Sequence, residues 1–303
     1  MKPKILVLGS SSFSGASMVK YLLDNNKYIV YGIFRRKKVS SYLPYKFSKN
    51  FRLFKEYKID LSKNSEIYFQ TNVSSKIKMI EYLSQSSFLK KYVYISTPEI
   101  FGSSKKFIHE NHSIFNPSTP YATSKLSAEI LLRNYFSYSN LPLIISRFSN
   151  FYGPGQPLYR LIPKIIACID SKNKFPIQGN GQSKRNFIFS YDFCNGINKI
   201  LSKGKIGEIY HFSGNSFDSV LDTVKYLCDL KAYNVKKLIK KTKSRIGHDL
   251  VYKLNSKKTR KALNWKPVYT LKSGLKEIII YHNKYFKNIP KKSLVYTDIN
   301  LKK

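Results

Sequence analysis

The first 34 residues constrain the fold more than any other stretch. Residues 4–9, KILVLG, form a short apolar run ending in glycine and read as a buried strand. Gly9-Ser-Ser-Ser-Phe-Ser-Gly15 follows as a turn. ASMVKYLLDNN then carries apolar residues at helical spacing up to an Asn-Asn stop. YIVYGIF, residues 28–34, is a second buried strand. Strand, glycine-bracketed turn, helix and strand in so short a span make a βαβ unit, which sets the two strands parallel.

The alternation continues. FRLFKEYKIDL (51–61) reads as a third strand, and 73–84 as a helix with Ile77, Ile80 and Leu83 on one face. KYVYIS (91–96) is a strand, 120–136 a helix with Ser118 and Thr119 as candidate caps, and LPLIISRF (141–148) a strand. Buried strands alternating with helices predict an α/β fold, a doubly wound parallel sheet of the Rossmann type. Past residue 150 the pattern is less regular, with Gly- and Pro-rich joints at 153–157 and 179–181. The expected division is a dinucleotide-binding domain over 1–150, which also receives segments near 186–212. A smaller, interleaved C-terminal substrate lobe covers 151–287, and a basic tail 288–303.

Composition narrows the function classes. The net charge is +37, which suits a polyanion partner, yet Lys, Ile, Asn, Tyr and Phe abound from end to end, as AT-rich codons would give. Basic clusters such as 236–243 and 257–261 are short and scattered, so no specific nucleic acid is expected. No apolar run nears the roughly 18 residues of a membrane span. The start of the chain enters a strand directly, without a leader pattern. Cys168, Cys194 and Cys228 are odd in number and widely spaced, which fits a reducing cytoplasm better than a disulfide framework or a zinc site. No metal is expected.

Gly9 suits a tight turn out of the first strand, and Gly15 suits close helix–strand packing. The helix N-terminus beyond Ser12 and Phe13 would offer N–H groups to a pyrophosphate. Ser12 stands where the dinucleotide fingerprint has its middle glycine, and its side chain would crowd the phosphate. An ordinary glycine-bracketed turn has the same spacing. Arg35 and Arg36 end the second strand where a carboxylate would bond ribose hydroxyls, and so lean towards NADP, although cations are common throughout this chain. Tyr121 and Lys125 form an i, i+4 pair on one helix face. An ammonium beside a phenol favours the phenolate, which could deprotonate a sugar hydroxyl.

STPEIFG (96–102), NPSTPYATSK, ISRFSNFYGPGQ, RLIPKII, GNGQSKRNFI, SRIGHDLVY and NSKKTRKALNWKP occur in order between about 91 and 285. With these stretches the chain resembles the extended short-chain dehydrogenases, most closely the nucleotide-sugar 4,6-dehydratases of the dTDP-glucose kind. The resemblance implies NAD as the default cofactor, a nucleotide-diphosphate hexose as substrate, and a 4-keto-6-deoxy sugar as product. It makes Tyr121, Lys125, Thr97 and Glu99 catalytic. Gly9, Ser12, Phe13, Gly15, Arg35, Arg36, Asp60, Leu61, Tyr121, Lys125 and Asn150 fall on cofactor positions. Asn150, Arg160, Leu161, Arg185, Arg245 and His248 fall on substrate positions. Pro98 replaces the Asp of the Asp–Glu pair found in the dTDP-glucose enzymes. A single Glu, with arginines after strand two, looks like the GDP-mannose 4,6-dehydratases. Sister 4-epimerases usually carry another small polar residue at the position of Glu99, and a 4-epimerase or reductase of the same superfamily is the alternative enzyme reading.

The eleven residues LSKNSEIYFQT between Asp60 and Asn72 are too few for a βα unit, so one strand–helix unit is expected to be missing near 61–72. The join is expected to be a loop or short turn. The strand at 51–59 should flank one side of the first two strands, and that at 92–96 the other. A catalytically impaired relative or scaffold is therefore a third reading. The resemblance also implies a homodimer through helices at about 73–86 and 119–136.

Overall fold

The computed structural model describes residues 2–34, 51–55, 64–242 and 251–285. β1 (Lys4–Leu8), α1 (Phe13–Asn25), β2 (Ile29–Phe34) and β3 (Phe51–Lys55) open the chain. α2 (Asn64–Asn72), α3 (Ile77–Ser84), β4 (Tyr92–Ser96), β5 (Phe107–Ile108), α4 (Pro120–Ser139), β6 (Leu143–Phe148) and β7 (Asn150–Tyr152) follow. Then come α5 (Leu161–Asp170), β8 (Phe175–Gln178), β9 (Lys184–Phe189), α6 (Ser190–Lys203), β10 (Ile209–Phe212) and β11 (Phe217–Ser219). The last elements are α7 (Val220–Leu230), α8 (Val235–Leu238), β12 (Ile239–Thr242), β13 (Lys253–Leu254), α9 (Lys257–Leu263) and α10 (Leu271–Tyr285).

Two parallel three-stranded ladders carry the N-terminal half. In the first, β1 pairs β2 with Lys4 opposite Ile29, and β2 pairs β3 with Val30 opposite Phe51. In the second, β6 lies between β4 and β10, with Tyr92 opposite Leu143 and Ile209 opposite Ile145. All six residues of β6 are buried, as a strand covered on both faces requires. α1 and α6 cover one face through Ala16, Val19, Leu22, Phe193 and Ile197, and Ile5, Val7, Val93 and Ile95 join that same core. α3 and α4 cover the other face of the second ladder through Ile80, Ala128 and Leu132 against Tyr94 and Leu143.

The expected flanking by the strand at 92–96 is not made as a ladder. Among the described residues β1 pairs only with β2, and β4 only with β6. Leu6 and Leu8, which alternate with Ile5 and Val7, are 50% and 40% exposed. Leucines that far open on the first strand of a parallel sheet lack the cover their side chains are built to receive. The shared α1–α6 face thus joins the two ladders, while the opposite face is open at β1.

The join before Asn72 also differs from expectation. Residues 64–72 form helix α2, not a loop. NSEIYFQTN has no apolar stripe to announce a helix, and α2 is held by tertiary contact instead: Asn72 Nδ2 donates to Ser124 Oγ of α4 at 3.0 Å. The C-terminal lobe packs α5, α7 and α10 around β8 and β9, with Ile165, Phe175, Leu227 and Leu275 in its core. β9 pairs β7 in parallel and β11 antiparallel. α6 and β10 return from it to the first core.

Candidate active site

β1 delivers the chain into its first turn at Gly9, whose φ of +75° is open to glycine at little cost. Gly15 sits on that turn, and a Cβ there would lie 2.2 Å from the Gly9 carbonyl oxygen. Ser12 is the N-cap of α1, and its Oγ accepts from Gly15 N at 3.1 Å. The side chain is thus turned back onto the helix, and one of the N–H groups expected for phosphate is already engaged. Phe13 stacks on Phe151 with ring centres 4.6 Å apart, tying the turn to β7.

β4 ends at Ser96, and Thr97 then caps a 3-10 turn, Pro98–Phe101, by accepting from Glu99 N at 3.3 Å. Pro98 suits the first position of that turn, where no N–H is needed. Thr97 and Pro98 are buried, and Glu99 is half-buried. α4 begins at its Thr119 cap, which accepts from Ala122 N at 3.2 Å, and so presents Tyr121 and Lys125 one turn apart. At the carboxyl ends of β4 and β6, the buried Ser96 Oγ, Ser149 Oγ and Asn150 Oδ1 find no hydrogen-bond partner among the described residues. Buried polar atoms left so at the carboxyl edge of a parallel sheet fit a polar ligand there.

Tyr121 is the electrostatic centre of this cleft. Its phenol is pushed above the ordinary tyrosine value, first by burial and then by the Glu99 carboxylate, while Arg160 pulls it back down. Tyr68 of α2 and Tyr252 add smaller upward pushes, and the Tyr68 ring meets the Tyr121 ring edge-on at 5.5 Å. Arg160 is the exposed N-cap residue of α5, next to Leu161 at the helix start. Arg185 on β9 lies 5.7 Å from the centre of the Tyr252 ring. The fold therefore gathers Thr97, Glu99, Tyr121, Lys125 and Arg160, with Arg185 reached through Tyr252. Arg35, Arg36, Asp60, Leu61, Arg245 and His248 lie outside the described residues.

The i, i+4 spacing predicts a phenol drawn down by Lys125, and the structure corrects this. Lys125 Nζ donates to the Ile95 carbonyl oxygen at 2.6 Å and lies 4.3 Å from the centre of the Tyr94 ring. It is engaged with β4, and burial dominates at Tyr121. Lys125 itself is lowered to about 7, first by burial and then by Lys76, partly offset by Glu129. One turn further along α4, buried Glu129 pairs with buried Arg147 of β6. Arg147 Nη1 donates to His211 Nε2 at 3.2 Å, and His211 Nδ1 donates to the Ile108 carbonyl oxygen, also at 3.2 Å. These bonds set the neutral tautomer, and burial holds the His211 ring well below its ordinary value. The Arg147 guanidinium also lies 4.9 Å from the Phe101 ring centre, beneath the turn that carries Glu99.

Nothing in the sequence pattern marks Tyr68, Lys76, Tyr94 or Tyr252 as part of a site. Tyr68 falls in the stretch read as a loop, and Tyr252 closes the DLVY run.

Residues 56–278 match the family model for GDP-mannose 4,6 dehydratase. The chain belongs to that family. A relative from Bos taurus, dTDP-D-glucose 4,6-dehydratase, is 34% identical over 205 residues, which is 66% of this chain. The chain spans 58% of that relative's length. Among solved structures, dTDP-glucose 4,6-dehydratase from Bacillus anthracis in complex with NAD is 27% identical. It has a TM-score of 0.84 and covers 93% of this chain and 97% of its own. UDP-glucuronic acid 4-epimerase from Bacillus cereus is 24% identical with a TM-score of 0.85, covering 93% and 99%, which is a likeness of fold. Both are Rossmann-type structures, so the family fold holds even though β1 and β4 share no ladder here. Among the described residues no helix is long and apolar enough to cross a membrane, and no group of His, Cys, Asp or Glu could hold a metal ion.

Proposed function

We propose that this chain is a nucleotide-hexose 4,6-dehydratase working through internal hydride transfer. The observation that carries the reading is the convergence on Tyr121 of a carboxylate, Glu99, and a guanidinium, Arg160. Proton chemistry at two carbons needs two groups that can hold a proton, and Tyr121 and Glu99 supply them. Tyr121 takes the proton of the C4 hydroxyl. Glu99, half-buried at the end of β4, removes the C5 proton, and in its protonated form it delivers a proton to the departing C6 hydroxyl. Pro98 cannot carry a proton, so one carboxylate acts twice on one face of the sugar. Thr97 would bond near O4, and Arg160 and Arg185 suit the diphosphate.

The polar atoms at Ser96, Ser149 and Asn150, together with the turn between Gly9 and Gly15, fit a nicotinamide dinucleotide. NAD, when bound, would accept the hydride from C4 and return it to C6. The NAD complex of the B. anthracis relative supports NAD, and Arg35 and Arg36 keep NADP as the alternative. Cofactor contacts for Asp60 and Leu61, substrate contacts for Arg245 and His248, and a division of the chain near residue 150 belong to the same proposal. A cytoplasmic location in surface-polysaccharide sugar supply accords with the family.

Homodimerisation is part of the proposal. Tyr82 on α3 and Ile130 and Tyr138 on α4 are exposed apolar side chains on the two helices expected to meet a second subunit. Two observations favour a second reading, an impaired relative: Leu6 and Leu8 are open, and among the described residues the ladder between β1 and β4 is not made. A missing strand–helix unit accounts for both.

The test is incubation of the purified protein with a panel of nucleotide hexoses, with products read by mass. Loss of one water from a hexose supports dehydration. A product of unchanged mass and altered stereochemistry would move the assignment to epimerase, and no product from any sugar would favour the impaired relative.

A further inference from the structure

Helix α2 grips Tyr121 at two points. The Tyr68 ring meets the Tyr121 ring edge-on, with centres 5.5 Å apart and planes at 68°. One turn further along the same face of α2, Asn72 Nδ2 donates to Ser124 Oγ at 3.0 Å, and Ser124 Oγ donates to the Tyr121 carbonyl oxygen at 2.8 Å. The strip that carries Tyr68 and Asn72 therefore reaches both the ring and the backbone of Tyr121. NSEIYFQTN has no apolar stripe, so these contacts with α4 set the register of α2.

We propose that Tyr68 is a positioning residue for proton transfer at Tyr121: its ring holds the Tyr121 side chain in the orientation that brings the phenol oxygen to a substrate hydroxyl. The inference rests on the reading of Tyr121 as the group that takes the C4 proton.

The Tyr121 hydroxyl stands at the far end of its ring. Rotation about Cβ–Cγ leaves that oxygen on its axis, but a swing about Cα–Cβ carries it across the cleft. Among the described residues no hydrogen bond fixes the hydroxyl, and the Tyr68 ring is the aromatic contact that the Tyr121 ring makes. Glu99 and Arg160 act on Tyr121 through charge, from the turn after β4 and from the start of α5. Charge sets how firmly the phenol holds its proton and leaves open where the ring stands. An edge-on pair does have a preferred geometry, because the positive rim of one ring meets the negative face of the other. Proton transfer needs donor and acceptor within hydrogen-bond reach, and a misplacement of about 1 Å can cost about 100-fold in rate. The contact is made by the ring of Tyr68 and not by its hydroxyl, so Tyr68→Phe keeps it. Tyr68 thus acts on the reaction through Tyr121.

The test follows Tyr121 itself. In protein labelled with 13C at tyrosine Cζ, the signal absent from Tyr121→Phe identifies Tyr121. It should be a single sharp line in the unsubstituted protein and in Tyr68→Phe. In Tyr68→Ala it should broaden or split as the side chain samples a second rotamer, while the other tyrosine signals keep their sharpness. Tyr68 is half-buried, so its variants should fold. Tyr68→Leu, which keeps apolar bulk without a ring, is read the same way should Tyr68→Ala fail to fold. A single sharp Tyr121 line in Tyr68→Ala or Tyr68→Leu, or a broadened one in Tyr68→Phe, would overturn the proposal. This reading needs no turnover, so its failure is distinguishable from failure of the enzyme assignment. Where turnover is found, kcat should fall about tenfold or more in Tyr68→Ala with KM nearly unchanged, and Tyr68→Phe should keep the original kcat. A raised KM at unchanged kcat, or equal losses in Tyr68→Ala and Tyr68→Phe, would overturn the positioning role.

Discussion

Gly15 rests so closely on Gly9 that a Cβ added to it would stand 2.2 Å from the Gly9 carbonyl oxygen. The obstacle is backbone, so the strain cannot be relieved by a side chain turning aside. Gly15→Ala should push α1 away from β1 at a cost of about 1–3 kcal/mol. Titration of the variant with NAD should show roughly tenfold or weaker binding, with a lowered Tm in the same sample. Binding equal to the unsubstituted protein would mean that this turn does not cradle the cofactor.

Lys125 gives a prediction in pH. Its folded value, about 7, is below the ordinary lysine value of the unfolded chain. Between the two values the unfolded chain holds more protons, so this residue makes stability rise as pH climbs from about 7 towards 10. Below about 7 the folded protein carries the buried ammonium at a cost. Lys125→Met should therefore raise Tm more at pH 6 than at pH 9, by a few degrees. Equal shifts at both values would contradict the lowered midpoint.

The Glu129–Arg147 pair should matter for stability more than any surface ion pair. Both side chains are within 1% of full burial, and His211 and Phe101 complete the surroundings of Arg147. Removing one partner leaves a buried charge uncompensated, so Glu129→Gln should cost about 3–5 kcal/mol in urea denaturation. Lys258→Ala, which breaks an exposed pair with Glu208, should cost less than about 1 kcal/mol.

Glu99→Gln separates the two halves of the reaction. The amide cannot take the C5 proton, whereas the Tyr121 phenol is kept and only loses the upward push of the Glu99 carboxylate. We expect hydride exchange at C4 to persist and dehydration to fall at least 100-fold, followed with C4-deuterated sugar. Dehydration at the original rate would refute the single-carboxylate scheme.

Much of this was legible in the sequence, for physical reasons that also explain the misses. β1, β2, β4 and β6 are continuous apolar runs because both of their faces were meant to be covered, and they fall within two residues of their expected starts. The Thr119 cap and Pro120 announce α4, and Gly15 keeps its place because backbone meets backbone. Helix α2 was missed because its register is set by contact with α4 and not by an apolar stripe. The protonation of Tyr121 was misread because spacing along α4 says only which side chains share a face. It cannot show that the Ile95 carbonyl, thirty residues earlier in the chain, would claim the Lys125 ammonium. Tyr94, Lys76 and Tyr252 reach the cleft the same way, from separate elements.

The most direct measurement is turnover of dTDP-glucose and GDP-mannose in heavy water, read by mass spectrometry with NMR of the product. Elimination followed by return of the hydride to C6 leaves C5 to be protonated from solvent. We predict a product lighter by one water than its substrate and carrying a single deuterium, at C5, made by the unsubstituted protein and not by Tyr121→Phe. A product that keeps its oxygen count, or recovery of both sugars unchanged at saturating NAD and NADP, would contradict the account.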